Sequence, residues 1–488
     1  MKRLIFTGAL YLFLLYNPYN KAHDSNIKHT TKQSLTDLHT DSKGQNVVSL
    51  LDIYEMALQN NASLAAARAT FMAEREVVSQ AMSPMLPQLS AGASSDYNKS
   101  IFPGHSENPR SRWNTHGWSA SVTQSVFDLS NIFNMKAAYK KKHMAELTLE
   151  IARQNLIYDI ASGYFAVLKA QDEKFSAQVH MRAVKKQLDQ TEERYKVGMV
   201  ANTDVQEAKA AYDTAKVSVI QAENDIVIAK GNLSLLTNKP VPEALSKLNQ
   251  NMPAESVIPN QLSTWEQWAV SYNLAVQKAK DDVSASQYEL SAARSAFLPT
   301  LSGSVSYEQK IDNTTSARIA NRRKANGFTA SLNINIPLFS GGSNYSKSRE
   351  AGYALEAKQK TEEFVTNQAK IDVHNYYNTV NADISQISAW CQSIVSADSS
   401  LKATESGYQV GTRTIIDVLN SQSVLYNAQK QYLDSRYNYI LNTLKLKQVS
   451  GTLSVKDLQY LNQWMTPPND DSDALTPYCK AATNMKTK

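Results

Sequence analysis

The sequence predicts a mainly α-helical protein that also contains β-strands and consists of two similar halves. Three observations support this fold class. Motifs recur in order 212 or 213 residues apart, a stretch of about 65 residues contains no proline, and short segments alternate apolar with polar side chains. A repeat of this length indicates a duplicated half of the chain rather than a solenoid of short units.

The repeated motifs define the two halves. Residues 82–90 return as residues 294–302, residues 126–127 as 338–339, residues 194–198 as 407–411, and residues 204–205 as 417–418. We therefore expect repeat 1 at residues 47–240, a linker at 241–263, repeat 2 at 264–450, and a C-terminal segment with a tail at 451–488. Each repeat is predicted to contain a helix, two strands, a long helix, a tight turn and a second helix.

The N-terminal residues predict an export signal. Lys2 and Arg3 precede an apolar stretch, Leu4–Tyr16, which is too short to span a bilayer as a helix. We place the signal peptide at residues 1–22. Residues 23–46 are polar and without periodicity, so we expect a disordered extension there.

The composition argues against several classes of function. The net charge of +6 is spread over the whole chain, which does not indicate a partner made of nucleic acid. The eight histidines and two cysteines lack the spacing of metal ligands. A nucleophile elbow, a phosphate loop and paired catalytic acids are missing from the sequence. We therefore expect no enzyme, no cofactor and no metal.

Alternating segments predict a β-hairpin in each half. Phe328–Leu338 alternates apolar with small polar residues over eleven positions, the length of a tilted membrane strand. The other predicted strands are Leu301–Tyr307, Leu89–Tyr97 and Gly117–Phe127, with polar loops at Asn98–His116 and Lys310–Asn326. A half-buried sheet in a soluble protein would alternate in the same way. Beyond the signal, no apolar run reaches the length of a membrane helix, so a membrane role would require a closed barrel of strands.

The rest of each half is predicted to be helical. Asn344–Gln409 contains no proline and would form a helix roughly 100 Å long. Apolar residues four and three positions apart predict a packing seam on it, at Val373, Tyr377, Val380, Ile384, Ile387, Cys391 and Ile394. A similar ridge of mostly small residues comprises Ala208, Ala211, Ala215, Ser218, Ala222 and Asp225. A tube, a solid bundle and a fibrous coiled coil all fit these patterns.

Both long helices are predicted to end at matched turns. Gly198 and Gly411 fit the left-handed position that ends a helix. Thr203 and Gln206, three residues apart, resemble a capping box for the helix that follows the first turn.

From about Val47 to Leu461 the residues resemble a known family, the TolC-type outer-membrane efflux and secretion channels (the outer membrane factor family). The motifs that carry the resemblance occur in both halves and in the same order. They are Ser83–Leu89, Thr123–Asp128, Gln187–Thr191, Tyr408–Leu419, Arg436–Tyr439 and Gly451–Leu453.

The resemblance implies an architecture and a set of partners. Three chains would each give four strands to a twelve-stranded β-barrel that continues as a long α-helical barrel across the periplasm. Such a homotrimer would contact outer membrane lipid, a periplasmic adaptor (membrane fusion protein) and an inner-membrane transporter. It would serve as the exit duct of tripartite efflux pumps or of type I secretion.

The resemblance also implies a gate at the two tips. Thr203 and Asp204 match polar residues of the first tip, and Tyr408 and Arg413 match the residues that bond to them. Val197, Gly198, Met199, Val410, Gly411 and Thr412 match the positions that meet the adaptor.

A pore constriction is implied at Asp417 and Asn420. Asp417 matches one of two carboxylate rings, and three copies around one axis would raise its pKa. The second family carboxylate falls on Asn420, so we expect only weak block by multivalent cations.

Two other classes of protein remain as alternatives. A periplasmic or extracellular coiled-coil scaffold without a pore would dissolve without detergent. An enzyme would need catalytic motifs that the sequence lacks.

Overall fold

The computed structural model describes residues 47–101, 110–249, 251–316 and 319–466. The predicted signal peptide at 1–22, the predicted disordered extension at 23–46 and residues 467–488 of the predicted tail lie outside the described residues. So do the tips of the two predicted hairpin loops.

Helices dominate both halves, and each half contributes one hairpin of strands. The first half comprises α1 (Leu50–Asn60), α2 (Ala62–Glu74), α3 (Val77–Met82), β1 (Gln88–Ile101), β2 (Arg110–Phe127), α4 (Leu129–Lys196) and α5 (Asn202–Thr237), followed by the short β3 (Lys247–Leu248). The second half comprises α6 (Leu262–Tyr272), α7 (Leu274–Ser295), β4 (Thr300–Ser316), β5 (Ile319–Asn335), α8 (Ser343–Gln409) and α9 (Ile415–Val449). The C-terminal segment adds α10 (Val455–Gln463) and β6 (Met465–Thr466), which pairs with β3.

The two halves share the order of short helices, hairpin, long helix and second hairpin helix, except that α2 and α3 of the first half correspond to the single helix α7 of the second. The two long helices, α4 and α8, contain 68 and 67 residues. The helices α1 and α6 contain 11 residues each. The duplication is therefore structural as well as sequential.

Four strands form one antiparallel sheet in the order β1-β2-β4-β5. The two hairpins meet at β2 and β4, and β1 and β5 form the edges. The strands contain 14 to 18 residues each and are longer than the sequence predicts. The predicted loops at 98–116 and 310–326 were therefore too long, because most of their residues pair within the hairpins.

The sheet has one apolar and one polar face. Residues directly opposite each other on paired strands point to the same side. The register places the exposed apolar residues Leu89, Val122, Val305, Phe328, Leu332 and Ile334 on one face. It places Ser90, Ser121, Ser304, Ser331 and Asn333 on the other. Among the described residues, the apolar face has no covering layer.

The helices extend from one end of the sheet as long antiparallel hairpins. The helix α4 packs against α5, and α8 packs against α9. The shorter α7 lies between α4 and α8 near the sheet, whereas α9 lies against α4 farther away. In the described part of the chain, no helix is both long and apolar enough to cross a membrane.

In each half, a shorter helix begins where the second helix of the hairpin ends: α2 follows α5 in space, and α7 follows α9. Asn61 caps α2 by accepting a hydrogen bond from the Leu64 amide, and its side chain donates to the Leu236 carbonyl in α5 at 2.8 Å. Asn273 caps α7 in the same way and donates to the Val449 carbonyl in α9 at 2.7 Å. An asparagine thus joins two helix ends in each half.

The largest apolar cluster lies around the middle of α4, where the short elements surround the long helices. Tyr164 and Phe165 are fully buried there, and the Tyr164 hydroxyl donates to the Ser246 carbonyl at 2.8 Å. A second cluster surrounds Trp265 and includes Val373 and Val380 of the predicted seam. The seam prediction is confirmed, because its remaining members are buried or half-buried as well.

Candidate functional site at the two helical tips

Both long helices end at a glycine in the left-handed conformation. Gly198 has φ of 72° and Gly411 has φ of 80°. The amide of the following residue donates back to a carbonyl of the last helical turn in each case, Met199 to Arg194 and Thr412 to Gly407, both at 2.9 Å. This is the geometry that satisfies the free carbonyls of a helix end, and it confirms the predicted turns.

The tips expose small apolar surfaces. Val197 and Met199 on the first tip are 68% and 76% exposed, and Val410 on the second is 76% exposed. A Cβ atom added to Gly198 or Gly411 would meet nothing within 4 Å. A partner helix can therefore approach the backbone of either tip closely.

The helices that leave the two tips begin differently. Thr414 is the N-cap of α9, and it forms a capping box with Asp417. The predicted capping box of Thr203 and Gln206 is wrong. The helix α5 already begins at Asn202 after Ala201, so Thr203 lies inside the first turn, where its side chain does not cap the helix.

The carboxylate of Asp417 is held by its own helix end. It accepts hydrogen bonds from the Thr414 amide at 2.9 Å and from the Thr414 hydroxyl at 3.0 Å. These two bonds, with a smaller contribution from the nearby charge of Arg413, hold the pKa of Asp417 below its usual value. A single chain therefore shifts this pKa in the direction opposite to the one expected for a ring of three carboxylates. Asn420, one helical turn farther on, is exposed.

The polar gate residues predicted from the resemblance do not bond to each other within one chain. Thr203 and Arg413 are exposed, and Asp204 is half-buried. Among the described residues, neither Thr203 nor Asp204 is hydrogen-bonded to Tyr408 or Arg413. The Arg413 side chain lies instead over Gly407 of its own tip, where an added Cβ would be 2.8 Å from its Cγ atom.

An apolar cluster joins the two hairpins just above the tips. Leu188 and Ala208 from the first hairpin pack with Tyr408, Ile415 and Val418 from the second. Tyr408 is 8% exposed, and its hydroxyl is buried without a hydrogen-bond partner among the described residues. The ring thus belongs to the contact between hairpins, while its polar end is unsatisfied in a single chain.

Arg194 and Tyr408 form a contact that the sequence does not predict. The guanidinium carbon of Arg194 lies 4.5 Å from the centre of the Tyr408 ring. Its Nη1 atom is also 3.5 Å from the Tyr408 carbonyl oxygen, at the limit of a hydrogen bond. Arg194 therefore holds the last turns of α4 and α8 together.

In the described ranges, no group of three or more histidine, cysteine, aspartate or glutamate side chains could hold a metal ion.

Comparison with known proteins places these elements in context. The sequence profile of the outer membrane efflux protein family matches residues 53–239 and 266–452, one match in each half. The chain is 32% identical over 427 residues to the outer membrane protein TolC of Escherichia coli (strain K12), covering 86% of this chain and 85% of that protein. It is 25% identical over 423 residues to the proteases secretion protein PrtF of Dickeya chrysanthemi, covering 86% and 91%.

The fold is also similar to solved structures. A crystal structure of CusC matches with a TM-score of 0.71 at 19% identity, covering 82% of this chain and 92% of that one. At this identity the likeness concerns the fold alone.

Proposed function

This chain belongs to the outer membrane efflux protein family, and we propose that three copies of it close into one channel. The chain is an outer-membrane protein and an exit duct for efflux pumps and type I secretion. It carries out no enzymatic reaction in this proposal. Cargo would move through the channel that the helices of three copies enclose, and energy would come from partner proteins.

The sheet carries the proposal of a trimer. It has two unpaired edges, β1 and β5, and an apolar face that other described residues leave uncovered. Backbone groups at open edges cannot remain unpaired in lipid, so the sheet must be closed by further strands. Joining β5 of one copy to β1 of the next would close twelve strands around a polar interior, with the apolar face toward lipid.

The state of the purified protein tests this assembly. We expect it to remain in the membrane fraction after washing with salt and alkali, and to leave it only with detergent. Its mass in detergent, corrected for bound detergent, should equal three chains. A monomer in detergent, or release without detergent, would instead support the coiled-coil scaffold.

We further propose that the tips form the gate. Tyr408 has an unsatisfied buried hydroxyl, and Asp204 and Arg413 are ionisable groups without a mutual bond in one chain. In the trimer, bonds of Thr203 and Asp204 with Tyr408 and Arg413 would form between neighbouring hairpins. A charge-assisted bond contributes about 1.5–3 kcal/mol, and three copies would act together.

Conductance in planar bilayers tests the gate. The double variant Arg413→Ser with Tyr408→Phe should raise single-channel conductance and admit large antibiotics. A matched control is Lys402→Gln, which removes an exposed cation that lies on α8 about two helical turns before Tyr408. Equal conductance in the gate variant and the control would reject the gate assignment while leaving the duct intact.

The exposed tips are proposed to receive the periplasmic adaptor, which would link the duct to an inner-membrane transporter. The six tip residues named above, Val197, Gly198, Met199, Val410, Gly411 and Thr412, would form this contact. Their exposure and the open space around both glycines support it.

A further inference from the structure

A cation lies between two aromatic rings near the start of each long helix. The Nζ atom of Lys136 on α4 is 5.5 Å from the centre of the Phe133 ring and 5.9 Å from that of Tyr288 on α7. The guanidinium carbon of Arg349 on α8 is 5.8 Å from the Tyr345 ring and 5.9 Å from the Tyr353 ring. We refer to these two groups as the cation–aromatic clusters.

The clusters occupy equivalent places in the two halves. Lys136 is seven residues after the start of α4, and Arg349 is six residues after the start of α8. At 1.5 Å per residue these positions lie about 10 Å and about 9 Å along their helices. The motif is therefore repeated at one level of the molecule, although the aromatic residues differ.

Exposed apolar residues lie at the end of the sheet next to each cluster, where Val126 and Phe127 are the last residues of β2. Val126 and Phe127 precede α4, and Leu338 and Phe339 precede α8, the last two being about 90% exposed. Along the chain, the apolar face of the strands is followed by the exposed apolar pair and then by the cation that contacts two aromatic rings. This order matches the change from hydrocarbon to headgroups at a membrane surface, where aromatic rings and cations collect.

Three basic residues that follow Lys136 on α4 are paired with carboxylates. Lys140 is paired with Asp281 at 2.8 Å, Lys141 with Glu289 at 2.5 Å, and Lys142 with Glu146 at 3.6 Å. Lys136 and Arg349 are exposed, and neither has a carboxylate within 4 Å among the described residues. Their charges are therefore free to bind an anion from outside the chain.

Helix geometry directs the two side chains toward the sheet. The Cα–Cβ bonds of a helix tilt toward its N-terminus, and both helices begin at the end nearest the sheet. The Tyr353 hydroxyl accepts a hydrogen bond from the Arg349 Nη2 atom at 3.3 Å, which limits the motion of the guanidinium. The rings thus hold each cation at the membrane end of its helix.

We propose that Lys136 and Arg349 bind the phosphate groups of anionic phospholipids in the membrane leaflet next to the helices. The proposal rests on the outer-membrane location and goes beyond the duct function. In a trimer it gives six phosphate-binding positions at one level around the channel. Each cation near an anionic surface strengthens binding by about 1 kcal/mol, which is roughly fivefold.

Native mass spectrometry of the detergent-solubilised protein tests the proposal. The protein is titrated with phosphatidylglycerol and with phosphatidylcholine of the same acyl chains, and bound lipids are counted. We expect the unaltered protein to prefer phosphatidylglycerol, and Lys136→Gln with Arg349→Gln to lose that preference. The control Lys216→Gln with Lys402→Gln removes two exposed cations far from the sheet and should keep it.

Two further measurements separate charge from shape. Lys136→Arg with Arg349→Lys retains both charges and should retain the lipid preference. For the unaltered protein, raising the salt concentration from about 0.1 M to about 0.5 M should weaken the preference by screening. This salt series decides the question if the double glutamine variant does not assemble.

Three results would overturn the proposal. They are an equal preference in the unaltered protein and the glutamine variant, an equal loss in the control, and a preference that salt leaves unchanged. None of these bears on detergent-dependent extraction or on the trimeric mass, so the duct can survive when the lipid site fails.

Discussion

Arg194 at the end of α4 stacks on the ring of Tyr408 at the end of α8, at 4.5 Å from the ring centre. The two residues are 214 positions apart in sequence. They link the first tip to the second within one chain. A gate that opens by separating the hairpins must first break this contact.

Loss of the Arg194 contact should loosen the tips. A cation–π contact contributes about 0.5–2 kcal/mol, so Arg194→Gln should raise the open population of the channel roughly 2- to 30-fold. Tyr408→Phe keeps the ring and should retain the contact, whereas Tyr408→Leu should not. The coupling is measured from the conductance of Arg194→Gln, of Tyr408→Leu and of the double variant that combines them. Strictly additive effects in this double-mutant cycle would show that the two residues act independently.

Asp417 should control block of the pore by multivalent cations. In a trimer three carboxylates would surround one axis, and Asn420 supplies no second ring. We expect Asn420→Asp to strengthen block by a trivalent cation and Asp417→Asn to nearly abolish the weak block of the unaltered protein. Planar-bilayer conductance with the cation on the tip side measures both effects.

Thr414→Ala is the matched control for Asp417. It removes the capping hydroxyl but keeps the carboxylate, and loss of a cap costs about 1 kcal/mol. If Asp417 only caps α9, both Thr414→Ala and Asp417→Asn should lower thermal stability and leave block unchanged. Reduced block in Asp417→Asn alone identifies a carboxylate ring.

Gly411→Trp should abolish efflux while leaving the trimer intact. The φ of 80° is strained for any L side chain, and the indole would occupy the open space that an adaptor needs. Susceptibility to a pumped antibiotic should rise to the level of a deletion strain. Gly411→Ala has the same backbone strain without the bulk and should pump substantially better. Normal pumping by Gly411→Trp would reject docking at the tips.

Asp172 on α4 should make stability depend on pH. Burial raises the pKa of its carboxyl, partly offset by a hydrogen bond from the Tyr437 hydroxyl at 2.6 Å. The folded protein therefore binds a proton more readily than the unfolded chain. The free energy of unfolding then falls as pH rises from about 4, the unfolded pKa, through the folded pKa.

Asp172→Asn removes this titration and keeps an acceptor for Tyr437. We expect the Tm of Asp172→Asn, relative to the Tm of the unaltered protein, to increase as pH rises from about 4 to 7. Parallel Tm curves would show that the Asp172 carboxyl does not titrate differently in the folded state.

The elements defined by local patterns could be predicted from the sequence. The 212-residue repeat, the helix from Asn344 to Gln409 and the two glycine turns depend on motifs, proline-free length and backbone freedom. The strands were predicted too short. Lys310–Ser316 is polar except for Ile311, and its pairing depends on the opposite strand rather than on alternation.

The site was harder to predict because its contacts are not local. The first tip begins its second helix at Asn202, one residue before the predicted cap, because helix starts are set by backbone geometry as well as by residue type. The Arg194 contact depends on how two distant hairpins pack. The proposed bonds of Asp204 and Arg413 require neighbouring copies, which one sequence does not position.

The asparagine junctions have a mechanical consequence. Each half pairs one uninterrupted long helix with a column of separate helices, and Asn61 or Asn273 is the joint where the second hairpin helix meets the next helix of that column. A jointed column bends more readily at the break in its backbone hydrogen bonds, whereas a continuous helix must flex along its backbone. Force applied at the tips would therefore bend each column first at its joint, which lies between the tips and the sheet, while the continuous helices α4 and α8 resist bending along their length.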